Sequence, residues 1–278
     1  MPEQQIYAPF ILKEDFNKYK YIKEQVDEIR TLAHKELDEA KSIANRVFKN
    51  ICLFSVLDCF AQEYANYPTN GVAKVFCDFV LRFQDKFDYL EQIEPVTLFY
   101  DYEPNIKRIV KYPELAEIDP EYANPELEIS LGDFGLSDGQ NTSEIMKLDQ
   151  TKVLIGIIER DQDAKRSEIY KKKHTLIQLI YKMRSKAVHE LSHLGGENKW
   201  EFEDSFAEPF YRDKGRLYEC NGNIVSDDVI ELVIPSIFIY NLAKNAIDNY
   251  LDYCLQEQRL PFENNSNFKR TVDIAWRD

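Results

Sequence analysis

The sequence has few cysteines and lacks the long apolar runs that mark membrane-spanning proteins. Its 278 residues include 5 cysteines. An odd number of cysteines without a C-x-x-C pair favours free thiols in a reducing compartment over a disulfide framework. No apolar run approaches the roughly 20 residues of a membrane-spanning helix. The first residues also lack the basic and apolar segments of a signal peptide. These absences predict a cytoplasmic protein.

The charge is strongly acidic on average, with one local exception. Lysine and arginine number 35 against 49 acids, a formal net charge of -14, so the average field repels nucleic acid. Residues 165–186 reverse this sign, because Glu168 is their one acid among the cations Lys165, Arg166, Lys171, Lys172, Lys173, Lys182, Arg184 and Lys186. Such a segment either holds a phosphate backbone or is a solvated helix face.

The first part of the chain has a helical pattern. Apolar residues recur three to five apart from about Lys13 to Ala65, which predicts a long amphipathic helix followed by a core helix. A further amphipathic segment follows the turn at residues 68–71. The composition then changes at Pro95, where prolines, tyrosines and glycines predict an irregular insertion with short strands over residues 95–150.

The second part returns to helix. From near Val153 to Leu194 we expect one unbroken helix, which Gly195 and Gly196 end. Asn221-Gly222 between short apolar runs predicts a β-hairpin, and residues 226–228 offer an N-cap to a last helix that reaches about Gln258. The fold expected is mainly α. Residues 1–94 and 151–260 form a helical bundle, residues 95–150 are inserted, and residues 261–278 are a polar tail.

Residues 181–196 carry most of the sequence's information about function, and they support two interpretations. In the first, His189, Glu190 and His193 spell H-E-x-x-H, so that the histidines bind zinc and Glu190 activates water. Lys199 stands where the longest form of this zinc motif has its third histidine. The third ligand would then be an acid such as Glu203, Asp204 or Glu208.

The second interpretation is R-x4-H, formed by Arg184 and His189. Ser185 lies one helical turn before His189, where its hydroxyl can orient the imidazole. Arg184 lies about 140° from His189 around an ideal helix, and its long side chain can reach toward the same phosphate. The pair offers a planar cation for phosphate oxygens and a group that titrates near neutral pH.

The order Tyr181-x-x-Arg184-Ser185-x-x-Val188-His189 resembles the signature helix of HEPN-domain proteins. The order of helices, hairpin and final helix is also similar, over roughly residues 14 to 90 and 155 to 256. This resemblance implies an all-α bundle that dimerises. It also implies a metal-independent endoribonuclease without a cofactor, acting in a toxin–antitoxin, phage-defence or stress system. Some HEPN proteins have lost catalysis and serve as binding modules, so that alternative stays open beside the zinc peptidase.

The resemblance assigns roles to individual residues. Arg184 would stabilise the charged transition state, and His189 would transfer protons as the RNA 2′-OH attacks the phosphate. Ser185 matches the polar position after the motif arginine. The expected partners are RNA, a second copy of the chain and an antitoxin or regulatory protein.

Other polar residues near the motif have less certain roles. In the resemblance, dimerisation brings two copies of the motif into one cleft. Asp58 either faces this cleft or lies at the bundle edge, and His193 either lines the cleft or ends the helix. Glu190 follows the catalytic histidine directly. His174 is expected to be solvent-exposed. The lysines expected to contact RNA are Lys171, Lys172, Lys182 and Lys186.

Overall fold

The computed structural model describes residues 13–65, 71–98, 101, 155–156, 159, 164–190, 206–213, 216–220, 223–227 and 230–262. Its helices are α1 (Lys13–Ser42), α2 (Arg46–Tyr64), α3 (Val72–Phe83), α4 (Ala164–Lys173), α5 (Leu176–Glu190) and α6 (Ser236–Gln256). Its strands are β1 (Phe210–Asp213), β2 (Arg216–Cys220), β3 (Asn223–Asp227) and β4 (Ile230–Val233). The predicted mainly-α fold is confirmed.

Helices α1, α2, α3, α5 and α6 share one hydrophobic core. Helix α6 contacts α1, α2 and α3, because its apolar stripe is wide enough to meet several neighbours. The ring of Tyr250 on α6 lies against Phe60, Phe79 and Phe83, with centroids 5.3 to 6.1 Å away. Within the described ranges, no helix combines the length and the apolarity that crossing a membrane requires.

The single helix predicted over residues 153–194 is wrong, because the chain breaks at His174 and Thr175. Thr175 forms an antiparallel bridge with Ile93. The amide of Glu94 donates to the carbonyl of His174 at 2.7 Å, and the amide of Leu176 donates to that of Gln92 at 3.1 Å. A distant backbone segment thus replaces the helical hydrogen bonds at this point. Helix α5 therefore starts afresh at Leu176, and the predicted end at residues 191–196 lies outside the described residues.

The start predicted for the last helix is also wrong. Residues 230–233 form β4, which pairs antiparallel with β1 in the register Phe210↔Val233. Helix α6 begins only at Ser236, after Pro235 with φ -67° and ψ 147°. Proline keeps the preceding residue extended, so the apolar run before it joins a strand instead of the helix. The predicted hairpin is confirmed, since β2 pairs with β3 from Arg216↔Asp227 to Cys220↔Asn223.

The start of the predicted insertion is helical, because residues 95–98 form a turn that Glu94 caps. Glu94 is fully buried, and its carboxylate accepts from the amides of Val96 at 2.9 Å and Thr97 at 2.7 Å. The hydroxyl of buried Tyr211 on β1 donates to the same carboxylate. The short strands predicted for the insertion are therefore absent from residues 96–98, which are helical. Most of the insertion (99–100 and 102–150) and the tail from residue 263 lie outside the described residues.

We predict that Tyr211→Phe lowers the free energy of unfolding by about 1.5 to 3 kcal/mol, since a buried carboxylate loses a hydrogen-bond donor. Urea denaturation measures this change. Tyr253→Phe is the matched control, because Tyr253 is partly buried and contacts Phe83 and Arg82 through its ring. Equal stability of Tyr211→Phe and the unmodified protein would show that the Glu94 contact does not hold β1 on the bundle.

Candidate functional site

Helix α5 places the motif arginine at the edge of the bundle core. Its apolar residues Ile177, Ile180, Met183 and Ala187 are buried, which fixes the rotation of the helix. Ser185 and Lys186 are half-buried on the turns between them. The helical backbone continues through His189 and Glu190, whose side chains lie outside the described part of the structure, as does the whole of His193.

Arg184 forms an ion pair with Asp58 of α2. Its Nη2 lies 2.5 Å and its Nε 2.7 Å from Asp58 Oδ2. The side chains are only 12% and 10% exposed. This contact explains the acid among the mostly apolar residues 51–61 of α2. It places Asp58 beside the motif arginine at the edge of the bundle core.

Burial raises the pKa of the Asp58 carboxyl above its usual value, and the hydrogen bond and charge of Arg184 offset only part of this effect. The guanidinium carbon also lies 5.8 Å from the ring centroid of Tyr181, one turn earlier on α5. The ring of Tyr181 in turn lies 5.7 Å from that of Phe76. Arg184 is therefore held by a carboxylate and an aromatic ring, and the sequence had not indicated the second of these contacts.

The side chain of Arg184 has a defined direction in the structure. From the sequence we expected that it can reach toward the same phosphate as His189. The guanidinium instead binds Asp58 on α2, while the backbone position of His189 lies about 140° further around an ideal helix. The cation is thus fixed on the core side of α5, and the two motif residues begin from different sides of the helix.

The predicted RNA-binding lysines fall into two groups. Lys171 pairs with Glu159 at 2.8 Å and with Glu168, and these hydrogen bonds raise its pKa. Lys182 donates to the carbonyl of Lys173 at 3.1 Å, and burial is the main cause of its lowered pKa. These two cations already have protein partners.

The other two lysines differ from the first two in their contacts. Lys172 is exposed on α4 and Lys186 is half-buried on α5. Among the described contacts, neither ammonium group has a hydrogen bond or an ion pair. They are therefore the stronger candidates for phosphate contacts.

His174 is buried, so the expectation that it is solvent-exposed is wrong. Only 3% of its side chain is exposed, and its Nε2 lies 3.1 Å from Asp101 Oδ2. The cause is the break between α4 and α5, where the carbonyl of His174 accepts from the amide of Glu94 and its ring lies beside Asp101.

The possible zinc ligands lie largely beyond the described residues. His193, Glu203 and Asp204 fall within residues 191–205, and Glu208 is half-buried near β1. Within the part of the chain that the structure covers, no three histidine, cysteine or acidic side chains gather as a metal site would require. The interpretation of His189 and His193 as zinc ligands remains a prediction from the sequence.

Comparisons of the chain with family models, with curated protein sequences and with solved structures find no match. The HEPN resemblance therefore rests on the residues of α5 and on the order of the elements.

We predict that Arg184→Ala destabilises the protein in a pH-dependent way. Without the guanidinium, the pKa of Asp58 in the folded state rises further above its unfolded value of 3.8. A carboxyl with a raised folded pKa contributes stability below its unfolded pKa, and that stability is lost as the pH rises through the folded pKa. The loss should therefore be small near about pH 4 and reach about 3 to 5 kcal/mol near about pH 8.

Urea denaturation across this pH range measures the effect. The double variant Asp58→Asn with Arg184→Ala is the control, because it buries no unpaired charge and should lose the added pH dependence. A constant destabilisation of Arg184→Ala at all pH values would contradict the account of this ion pair.

Proposed function

We propose that this protein is a HEPN-type, metal-independent endoribonuclease with Arg184 and His189 as its catalytic residues. The observation that carries the proposal is that the motif arginine lies on a helix with His189 and is held in a nearly buried ion pair by Asp58. A fixed cation of this kind is suited to stabilising charge that develops on a phosphate. Ser185 and Glu190 are supporting residues beside the pair.

The proposed reaction is an intramolecular transesterification of the RNA backbone. The 2′-oxygen attacks the adjacent phosphorus while His189 removes its proton. The bond from phosphorus to the 5′-oxygen then breaks, and the leaving oxygen takes that proton from His189. The products are a 2′,3′-cyclic phosphate and a 5′-hydroxyl. Asp58 Oδ2 accepts from Nε and from Nη2 of Arg184. Of the five guanidinium N–H groups, this pair leaves two on Nη1 and one on Nη2 for the phosphate oxygens.

A second copy of the chain fits this proposal. The backbone positions of Arg184 and His189 lie on different sides of α5. A phosphate bound between two copies would therefore contact the arginine of one copy and the histidine of the other. A homodimer is thus part of the proposal, together with a cytoplasmic location and an antitoxin or regulatory partner. These features follow from the resemblance in α5.

A second candidate is a catalytically silent HEPN module that binds a partner. The observation that favours it is that Asp58 neutralises Arg184 within a nearly buried pair, in a chain of net charge -14. A guanidinium already paired with a carboxylate binds a phosphate less strongly, because the phosphate must compete with Asp58.

We predict that the purified protein cleaves a mixed RNA pool in the presence of EDTA and that His189→Ala abolishes the cleavage. General acid–base catalysis contributes typically about 10²- to 10⁴-fold, so the variant should lose at least this factor. His34→Gln is the matched control, because His34 lies on α1 and contacts Asp248 of α6. Gel analysis of the RNA measures the rate.

Two other outcomes have clear meanings. Absence of cleavage with bound RNA intact would favour the silent module. Cleavage that EDTA abolishes, together with zinc bound in a one-to-one ratio and lost in His193→Ala, would replace the proposal with a metal site at His189 and His193.

We predict that Lys172→Ala with Lys186→Ala weakens RNA binding and makes it less dependent on salt. Each lost phosphate contact on a single strand lowers the slope of log affinity against log salt by roughly 0.7. A 2′-O-methylated RNA, which lacks the attacking hydroxyl, allows binding to be measured without cleavage. Lys35→Ala with Lys74→Ala removes the same charge from exposed positions elsewhere, and an equal loss there would contradict a specific role for Lys172 and Lys186.

A further inference from the structure

The outward side of α5 carries a line of polar and cationic residues that leads to His189. Successive residues are rotated by about 100° on an ideal helix, so residues three, four and seven apart share one side. The members of this line are Lys182, Ser185, Lys186 and His189. The apolar residues that α5 buries lie on the opposite side. The line therefore faces away from the bundle core, and it differs from the side on which Arg184 binds α2.

This side of α5 has a charge opposite to that of the whole chain, which is -14. Residues 176–189 contain no aspartate and no glutamate. Lys182 and Lys186 lie about 6 Å apart along the helix axis, and His189 follows about 4.5 Å further on. Among the described side chains, none of the exposed large apolar residues lies on α5. The surface therefore attracts an anion and offers no apolar contact to a protein partner.

The end of α4 brings two more lysines to the beginning of this line. The ammonium of Lys182 donates to the carbonyl of Lys173, the last residue of α4, at 3.1 Å. Burial raises the pKa of the Cys77 thiol, and the charge of nearby Lys172 opposes this rise. The amide of Gln178 on α5 donates to the same thiol at 3.4 Å. Gln178 lies one turn before Lys182 on the same side of α5, so both lysines of α4 adjoin the line.

We call the four cations the lysine row: Lys172, Lys173, Lys182 and Lys186.

Acids border the lysine row without cancelling its charge. Glu159 and Glu168 both bind the ammonium of Lys171, which is outside the row. Asp101 lies 3.1 Å from a buried imidazole, and its charge also acts on the row. Asp78 is exposed on the neighbouring helix α3 and acts on the same thiol as the row. Two acids beside four ammonium groups leave the surface positive.

Lys182 shows the effect of this crowding of cations. Burial lowers its pKa, and the charge of Lys173 lowers it further. An anion bound between the two ammonium groups would remove their repulsion. An ammonium has three N–H groups. Lys182 gives one of them to the carbonyl of Lys173, so two remain for a phosphate.

The row fits a single strand of RNA better than a duplex or an acidic protein. Its ammonium groups form one line, with steps of about one helical turn along α5. Double-stranded RNA is bound through contacts to both strands across its minor groove, and the row has no second line for them. Protein interfaces are depleted of lysine and have an apolar centre. The described side chains of α5 supply the lysines without such a centre.

We propose that the lysine row binds a single RNA strand over about four phosphates, one for each lysine, on one side of the phosphate that is cleaved at His189. This inference rests on the proposed function, because His189 is the end point of the row. It adds that the copy of the chain that supplies the histidine also holds the strand. The substrate class is therefore single-stranded RNA that extends several nucleotides beyond the cleaved bond.

The test uses fluorescein-labelled, 2′-O-methylated oligouridines, which lack the attacking hydroxyl, so binding is measured whether or not the protein cleaves RNA. Fluorescence anisotropy at several salt concentrations gives the dissociation constant and its salt slope. Four phosphate contacts on a single strand predict a slope of about 2.8. Oligomers of about 8 nucleotides should reach this slope, and those of about 2 nucleotides should show less than half of it.

Matched variants test the position of the row. Lys173→Gln with Lys182→Gln should lower the slope by roughly 1.4, because two phosphate contacts are lost. Glutamine at position 182 keeps an N–H donor for the carbonyl of residue 173, and urea denaturation checks that the fold is kept. Lys35→Gln with Lys74→Gln removes the same charge from exposed positions elsewhere and should leave the slope nearly unaltered.

Three results would overturn the proposal. The first is no binding of the longer oligouridine, and the second is a slope that is the same in Lys173→Gln with Lys182→Gln as in the control variant. The third is a 2′-O-methylated duplex or a polyglutamate peptide that binds as tightly as the single strand, since either would assign the row to another partner. Binding with the expected slope but without any RNA cleavage would support the row and count against the nuclease.

Discussion

The ion pair between Asp58 and Arg184 is the constraint on which the proposed site depends. It joins α2 to α5 across 126 residues of sequence, at a place where both side chains are nearly excluded from water. Burial of two charges costs free energy that their attraction only partly returns, and the raised pKa of Asp58 reflects that balance. The pair fixes where the cation of the motif lies. It also leaves the cation partly neutralised, so a phosphate must compete with Asp58 for the guanidinium.

The position of α5 has a second cause, in the backbone. The segment from Leu90 to Glu94 pairs with the chain at residues 174–177 and ends α4 before α5 begins. Glu94 links this segment to β1 through Tyr211. The motif helix is therefore held at its start by backbone pairing and at Arg184 by the ion pair. None of the residues that make these two contacts lies in the insertion at residues 95–150.

Local patterns predicted most of the helices, because their information lies within a few turns of chain. The apolar repeats of α1, α2 and α3 and the Asn221-Gly222 hairpin signal are of this kind. The failures came from long-range contacts. The break at Thr175 needs a partner at Ile93, and β4 needs β1 to become a strand. Arg184 and Asp58 each stood out in the sequence, but their direct pairing could be seen only in the fold. Nothing in the sequence indicated that the ring of Tyr181 lies beside the guanidinium of Arg184.

The identity of the RNA termini tests the central claim most directly. Mass spectrometry of RNA treated with the purified protein in EDTA distinguishes the two main routes of phosphodiester cleavage. Attack by the 2′-oxygen, as proposed for His189 and Arg184, predicts 2′,3′-cyclic phosphates and 5′-hydroxyls. Products with 5′-phosphates and 3′-hydroxyls, or cleavage of RNA whose 2′-oxygens are methylated, would show that water attacks the phosphorus and would contradict the account.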